Sequence, residues 1–213
     1  MGLSCLSVMM SKTRKLAILV FDDAEVLDFC GPFEVFSVAS RQTDPPAFDM
    51  FTVAEKPKAI TARNGLSVNP HHTLTDCPKP DVLLVPGGMG TRREINNRPL
   101  IDWIKRTADK AELVLPVCTG AMLLGKAGLL DGLDTTTHHV AFDLLREIVP
   151  TATVHENRRF VDNGRIITSA GIAAGIDMSL HVVERLLGQD VAAATARHME
   201  YHCRTYDTMG EPK

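Results

Sequence analysis

Cys118 closes the apolar run "ELVLPVC" and is followed at once by Thr119-Gly120 and a series of small residues. The run predicts a buried strand, and the residues after it predict a helix from about 119 to 127. A thiol at such a seam faces the free N–H groups and the positive end of the helix dipole, which predicts a lowered pKa and a nucleophilic thiolate. A sharp strand-to-helix turn also lifts the side chain out of the sheet, as in a nucleophile elbow. Gly120 and Ala121 keep the first helical turn narrow and leave space for a ligand. A cysteine can equally be a small core residue, but its place at the seam favours the chemical role.

A second run, "DVLLVPGG", ends on Gly87-Gly88, about 30 residues earlier, as a βαβ unit requires. Glycines at a strand end let backbone N–H groups approach a substrate, so Gly87 and Gly88 are candidates for binding an oxyanion. A third run, "KLAILVF", leads into "DDAEVLDFCGPFEVF", where Asp28 stands before Gly31-Pro32. Asp28 is either a helix cap or an acid facing Cys118; in the second case it needs a buried setting and a raised pKa. Asp22 and Asp23 read as loop acids, and Cys30 as a packing residue near the acid motif. His138, in the Thr-rich "TTTHH", either orients an acid or makes a structural hydrogen bond. His71 and His72 read as solvated, and His155 and His181 as ordinary residues of strands or helices. His198 and His202 have metal-like i,i+4 spacing, but the Glu between them is out of place for a zinc protease.

The elements around these residues alternate. Strands are predicted at 15–21, 48–55, 81–88 and 112–118, and helices at 31–41 (with Pro32 in the first turn), 98–111, 119–127 and 140–150. Asn163-Gly164 between two β-prone runs predicts a hairpin. A long helix ends at Gly188, and a last one begins at Asp190. This alternation predicts an α/β fold: a mostly parallel sheet with helices on both faces, in one domain. The domain is expected over 15–205, with a flexible leader over 1–14 and a tail over 206–213. The leader's basic residues follow its apolar part, unlike a secretory signal; a start at Met10 is an alternative.

Composition narrows the partners. The 213 residues are 45% hydrophobic and 23% charged, with a net charge of -3, as in an ordinary globular chain. No basic stripe and only 5% aromatics argue against nucleic acid. No apolar run is long enough for a membrane span. The five cysteines form no C-x-x-C pair, which suggests neither a zinc site nor a disulfide framework, and a reducing cytoplasmic setting. No cofactor and no metal are implied.

"LDFCGPFEVF", "DVLLVPGGMG", "VLPVCTGAMLLGKAGLLDG", "TTTHH" and "TSAGIAAGID" occur in an order that resembles the DJ-1/PfpI family over about residues 15–204. The resemblance implies a flavodoxin-like three-layer sandwich, shared with class I glutamine amidotransferases, and a homodimer. Thr119, where protease-like members carry His, argues against proteolysis, and no late His-x-Glu pair supports an amidotransferase. Asp28 in L-D-x-x-G-P together with Cys118-Thr119-Gly120 resembles the isocyanide hydratases, and also the N-terminal domains of AraC-type regulators. The hydratase resemblance implies a lyase that adds water to a small isocyanide, with Cys118 as nucleophile, Asp28 moving protons and Thr119 assisting. Gly87, Gly88 and His138 would then hold the substrate. A glyoxalase-type enzyme and a ligand or redox sensor are the alternatives. His139 stands where the hydratase pattern has Trp, which changes the pocket wall or a dimer contact.

Overall fold

Leu16 to Leu19, Val82 to Val85 and Leu113 to Leu115 are all buried, so these runs are strands covered on both faces. The computed structural model describes residues 12–202. The expected leader and tail lie outside that range except for Lys12 to Arg14. The strands are β1 (Arg14–Leu19), β2 (Phe48–Ala54), β3 (Ile60–Thr61), β4 (Ser67–Val68), β5 (His72–Thr73), β6 (Val82–Val85), β7 (Leu113–Pro116), β8 (Asp134–Thr135), β9 (Thr153–Val154), β10 (Phe160–Asp162) and β11 (Ile167–Ser169). The helices are α1 (Val26–Ser40), α2 (Thr91–Glu94), α3 (Arg98–Ala108), α4 (Gly120–Lys126), α5 (Phe142–Ile148), α6 (Ala174–Leu187) and α7 (Gln189–His198).

The central sheet has the order β5-β2-β1-β6-β7, and every pairing in it is parallel. Single parallel bridges, Val114 to Ile166 and Val117 to Ser169, set β11 beside β7. Helices α1, α6 and α7 pack together, and α4 packs between α3 and α5. The result is the mostly parallel, helix-covered sheet that the alternation predicts, in the three-layer flavodoxin-like form that the family resemblance implies. Its carboxyl edge brings together the loops after β1, β6 and β7, which are adjacent strands. Among the described residues no helix is long and apolar enough to cross a membrane.

Local differences from the sequence reading have clear causes. Helix α1 begins at Val26, not at Gly31, so Pro32 lies inside it and Asp28 lies in its first turn. The helix tolerates Pro32 because the ring packs on α6: a Cβ on Gly175 would lie 3.5 Å from Pro32 Cγ. Tertiary packing outweighs the lost backbone bond here. Helix α5 is preceded by a 3-10 turn at His139–Ala141, capped by His138. Asn163 and Gly164 do form the turn of an antiparallel hairpin, β10–β11, with Gly164 at φ +83. Helix α7 ends at His198, so His198 and His202 do not share a helix face. Among the described residues no group of three His, Cys, Asp or Glu is arranged to hold a metal ion.

Helix α4 starts against the backbone of β6. A Cβ on Gly120 would lie 2.1 Å from the Val85 carbonyl oxygen, a contact with main chain that cannot rotate away. Gly120→Ala is therefore expected to destabilise the fold by about 1–3 kcal/mol or more. A urea midpoint unchanged from wild type would show that the two turns can separate freely.

Candidate functional site

Cys118 sits between β7 and α4 with φ +55, a left-handed conformation that a side chain other than glycine rarely adopts. The surroundings hold it there. Its N–H reaches the carbonyls of Ser169 and Ala170, both at 3.2 Å, and its own carbonyl accepts the Thr137 hydroxyl at 2.7 Å. Val117 N–H donates to Val85 O, and Gly120 N–H to Val117 O. The turn is thus tied to β6, β11 and the Thr-rich segment at once.

Asp28 approaches from α1. It is fully buried, and Gly87 N–H donates to its Oδ2 at 3.0 Å. Its Oδ1 is buried and makes no hydrogen bond among the described residues. Burial raises its pKa to about 7, against the lowering pull of the Gly87 N–H, the Cys118 thiol and the Ile172 N–H; nearby Glu25 adds to the rise. The thiol and the Ile172 N–H lower it as hydrogen-bond donors at close approach, although neither reaches the geometry of a full hydrogen bond to Oδ1.

The resting state of Cys118 differs from the helix-terminus expectation. Its pKa is pushed up to about 12, first by burial and then by the Asp28 carboxyl, against the pull of the Thr119 N–H and hydroxyl. The side chain is only 5% exposed, and α4 is only seven residues long. Desolvation beside a carboxylate outweighs what a short helix end can offer. The resting pair at neutral pH is therefore a neutral thiol beside a carboxyl poised between its two forms.

The two glycines also differ from expectation. Gly87 N–H is committed to Asp28, and Gly88 N–H donates to Thr119 Oγ1 at 3.0 Å. Neither N–H is open to a substrate in this state. Their service is spatial: a Cβ on Gly87 would lie 2.5 Å from Thr119 N and 3.0 Å from Asp28 Oδ2. Thr119 is buried, and its hydroxyl also accepts from the Thr91 hydroxyl at 3.1 Å. Thr119 faces the sulfur with its N–H first and its hydroxyl second.

A cavity of about 150 Å³ opens over Cys118 and Thr119, lined also by Glu25, Arg63, Gly88, Met89, Arg92, His138, Val140 and Ile172. His138 therefore does face this site. Its Nδ1 accepts from Val140 N–H at 3.3 Å, so the neutral ring carries its proton on Nε2. Burial, His139 and Arg92 hold its pKa below the usual value. His139 is exposed, with its ring 4.3 Å from that of His138, and does not line the cavity. Cys30 is exposed on α1 and outside it. His71 is not merely solvated: its Nδ1 lies 2.8 Å from Thr52 Oγ1. The sequence reading missed Arg63, Arg92, Glu25, Met89, Val140 and Ile172, which come from segments far apart in the chain. A Gly-x-Gly-Thr-Arg run after a strand end was the available signal for Arg92.

The chain is similar to known proteins over most of its length. A model described as "DJ-1/PfpI family" matches residues 14–185. The chain is 34% identical to an isonitrile hydratase of Pseudomonas putida, over 88% of this chain and 78% of that protein. It is 26% identical to the HTH-type transcriptional regulator GbdR of Pseudomonas aeruginosa, over 88% of this chain but 51% of the regulator. A solved THiJ/PfpI family protein from Pseudomonas syringae superposes with a TM-score of 0.82 at 28% identity, covering 100% of this chain and 82% of that one.

The raised Asp28 pKa bears on stability. The unfolded carboxyl releases its proton near 3.8 and the folded one near 7, so the folded state holds more protons between these values. Stability falls as pH rises through this window, by roughly 4 kcal/mol. Asp28→Asn is expected to raise the urea midpoint at pH 8 and to lose most of that advantage at pH 4. A variant less stable than wild type at pH 8 would show that the carboxylate is better accommodated than its burial implies.

Proposed function

The chain belongs to the DJ-1/PfpI family, and from that premise we propose that it is an enzyme that adds water to an isocyanide, giving an N-substituted formamide. The observation that carries this reading is the pairing of Cys118 with a buried Asp28 whose Oδ1 is unbonded and whose pKa lies at about 7. A group poised there can take a proton and return it in the same cycle. The similarity to an isonitrile hydratase supports the substrate class.

In this reading Asp28 enters as the carboxylate and takes the thiol proton as Cys118 Sγ bonds to the terminal isocyanide carbon. Asp28 then delivers that proton to the same carbon, so S–H has added across it and a thioimidate, R–N=CH–S–Cys118, results. The Thr119 N–H steadies negative charge on sulfur as the S–H bond breaks. Asp28 next takes a proton from water as the hydroxide oxygen bonds to the thioimidate carbon, and passes it to nitrogen. The C–S bond breaks, the hydroxyl proton returns to sulfur by way of Asp28, and R–NH–CHO leaves. Gly87 fixes the carboxyl through Oδ2, and Gly88 fixes Thr119. His138 offers its Nε2–H to the cavity as a neutral donor. No cofactor or metal enters this scheme. The homodimer and the cytoplasmic setting expected of the family belong to the same reading.

Formation of the formamide from a simple aromatic isocyanide tests it. Wild type is expected to turn over and Cys118→Ala to be inert. Asp28→Asn is expected to lose about 10²–10⁴-fold. kcat/KM should rise as Asp28 ionises through about pH 7. Wild-type rates in Asp28→Asn would remove Asp28 from the mechanism. No turnover by a folded wild type would move the reading to another electrophile, such as an aldehyde, or to sensing.

A further inference from the structure

Two arginines line the cavity above Cys118, and the proposed chemistry uses neither. Arg63 lies in the 3-10 turn between β3 and β4, and Arg92 on α2. Both line the cavity. Arg63 has no side-chain hydrogen bond or ion pair among the described residues. Arg92 donates to Gly88 O at 3.3 Å and to Thr91 Oγ1 at 3.2 Å, both through Nη1, so Nη2 and Nε remain unbonded among the described residues. Other described arginines hold carboxylates, among them Arg93 with Glu94 and Arg146 with Asp143 and Glu156; what sets Arg63 and Arg92 apart is that both line this cavity. Glu25 is the one carboxylate lining the cavity, and it is not within 4 Å of either guanidinium in any ion pair of the described residues.

Arginine presents a planar fork of donors that matches a carboxylate, and two such forks around one small space form a site that an anion completes. The space itself is limited. At about 150 Å³ it is smaller than the roughly 300–1,000 Å³ of pockets that enclose a drug-sized ligand, which suits the reacting end of a small molecule. Met89 and Val140, 53% and 66% exposed at the mouth, offer apolar cover for a short carbon skeleton.

We propose that Arg63 and Arg92 form a carboxylate subsite, and that the substrate is a short isocyanide carrying a carboxylate, its isocyanide carbon directed at Cys118. The substrate class rests on the hydratase reading above; the anion subsite does not. The Cys118–Asp28 pair itself carries a negative charge once it has lost one proton, so it repels an anion. Any preference for an anionic reagent at Cys118 therefore has to come from the arginines.

Two probes of nearly equal size separate charge from access. Alkylation of Cys118 by iodoacetate and by iodoacetamide, followed by peptide mass mapping at pH 8.5, gives a rate ratio. That ratio is expected to exceed the ratio for a small free thiol by about tenfold or more. It should fall to the free-thiol ratio in Arg63→Gln and Arg92→Gln, while the ratio at exposed Cys30 stays constant. Salt at 0.5 M, which shortens the Debye length from about 30 Å at 0.01 M to about 4 Å, should lower the wild-type ratio as well, which keeps the test open if a variant does not fold. A wild-type ratio equal to that of the free thiol overturns the subsite. A raised ratio that survives both substitutions overturns its assignment to these arginines. Turnover of isocyanoacetate beside its methyl ester then decides the substrate: preference for the acid is expected, and equal kcat/KM overturns the substrate class. No turnover of either overturns the substrate class, and if the aromatic isocyanide is inert as well, a raised alkylation ratio keeps the anion subsite while the hydratase reading falls.

Discussion

The site depends on how closely two backbone turns approach each other at the carboxyl edge of the sheet. The turn after β6 and the turn after β7 are pressed together until no Cβ fits between them. Gly120 would place one 2.1 Å from Val85 O, and Gly87 would place one 2.5 Å from Thr119 N. This contact lets Gly88 N–H reach Thr119 Oγ1 and lets Val117 N–H reach Val85 O. It also sets Gly87 N–H over Asp28, which arrives from a third strand end. Everything chemical about the edge follows from that approach. A wider gap would admit water to Asp28, lower its proton affinity and release Cys118 from its left-handed turn.

The strain in this region is local and compensated. Cys118 at φ +55 and Ile172 at φ +56 are both residues with side chains held in a conformation that glycine prefers. Such positions cost on the order of 1–3 kcal/mol each and persist only when the surroundings over-determine them. For Cys118 the determinants are visible: two carbonyls receive its N–H, and the Thr137 hydroxyl holds its carbonyl. Asp28 is a second local burden, a buried carboxyl with one oxygen unbonded. The sheet and the two helical layers carry these terms because their apolar strands are covered on both faces. A stable scaffold and an unfavourable site are two sides of one arrangement.

Much of this was legible in the sequence, and the limits have physical reasons. Strands buried on both faces read directly from continuous apolar runs, because such runs do not need an alternating pattern. Cys118 and Thr119 were legible because they stand at the end of such a run, and Asp28 because it stands before Gly31-Pro32 in the segment that follows another. The start of α1 was not, because Pro32 reads as a first-turn residue and only its packing against Gly175 allows it inside the helix. The function of Gly87 and Gly88 was half legible. Their lack of side chains pointed to a close approach, but the partner turned out to be Asp28 and Thr119. The cavity walls were least legible. Arg63, Met89, Val140 and Ile172 come from four separate loops, and no spacing along the chain announces that they meet.

The protonation state of Cys118 bears on which function the site suits. Oxidation of a cysteine follows its thiolate character and its exposure. Cys118 has little of either, with a pKa pushed up to about 12 and 5% exposure. A redox sensor needs the opposite: a thiolate at rest, open to small oxidants. A cysteine whose proton must be removed during the reaction needs a base at the same spot, with an affinity near neutral pH. In the proposed reaction Asp28 is that base, and burial brings its affinity to about 7. The same desolvation that suppresses the thiolate at rest therefore arms the group that generates it on demand. This coupling favours chemistry in which a substrate carbon receives sulfur and proton in turn over a role in which sulfur waits to be oxidised.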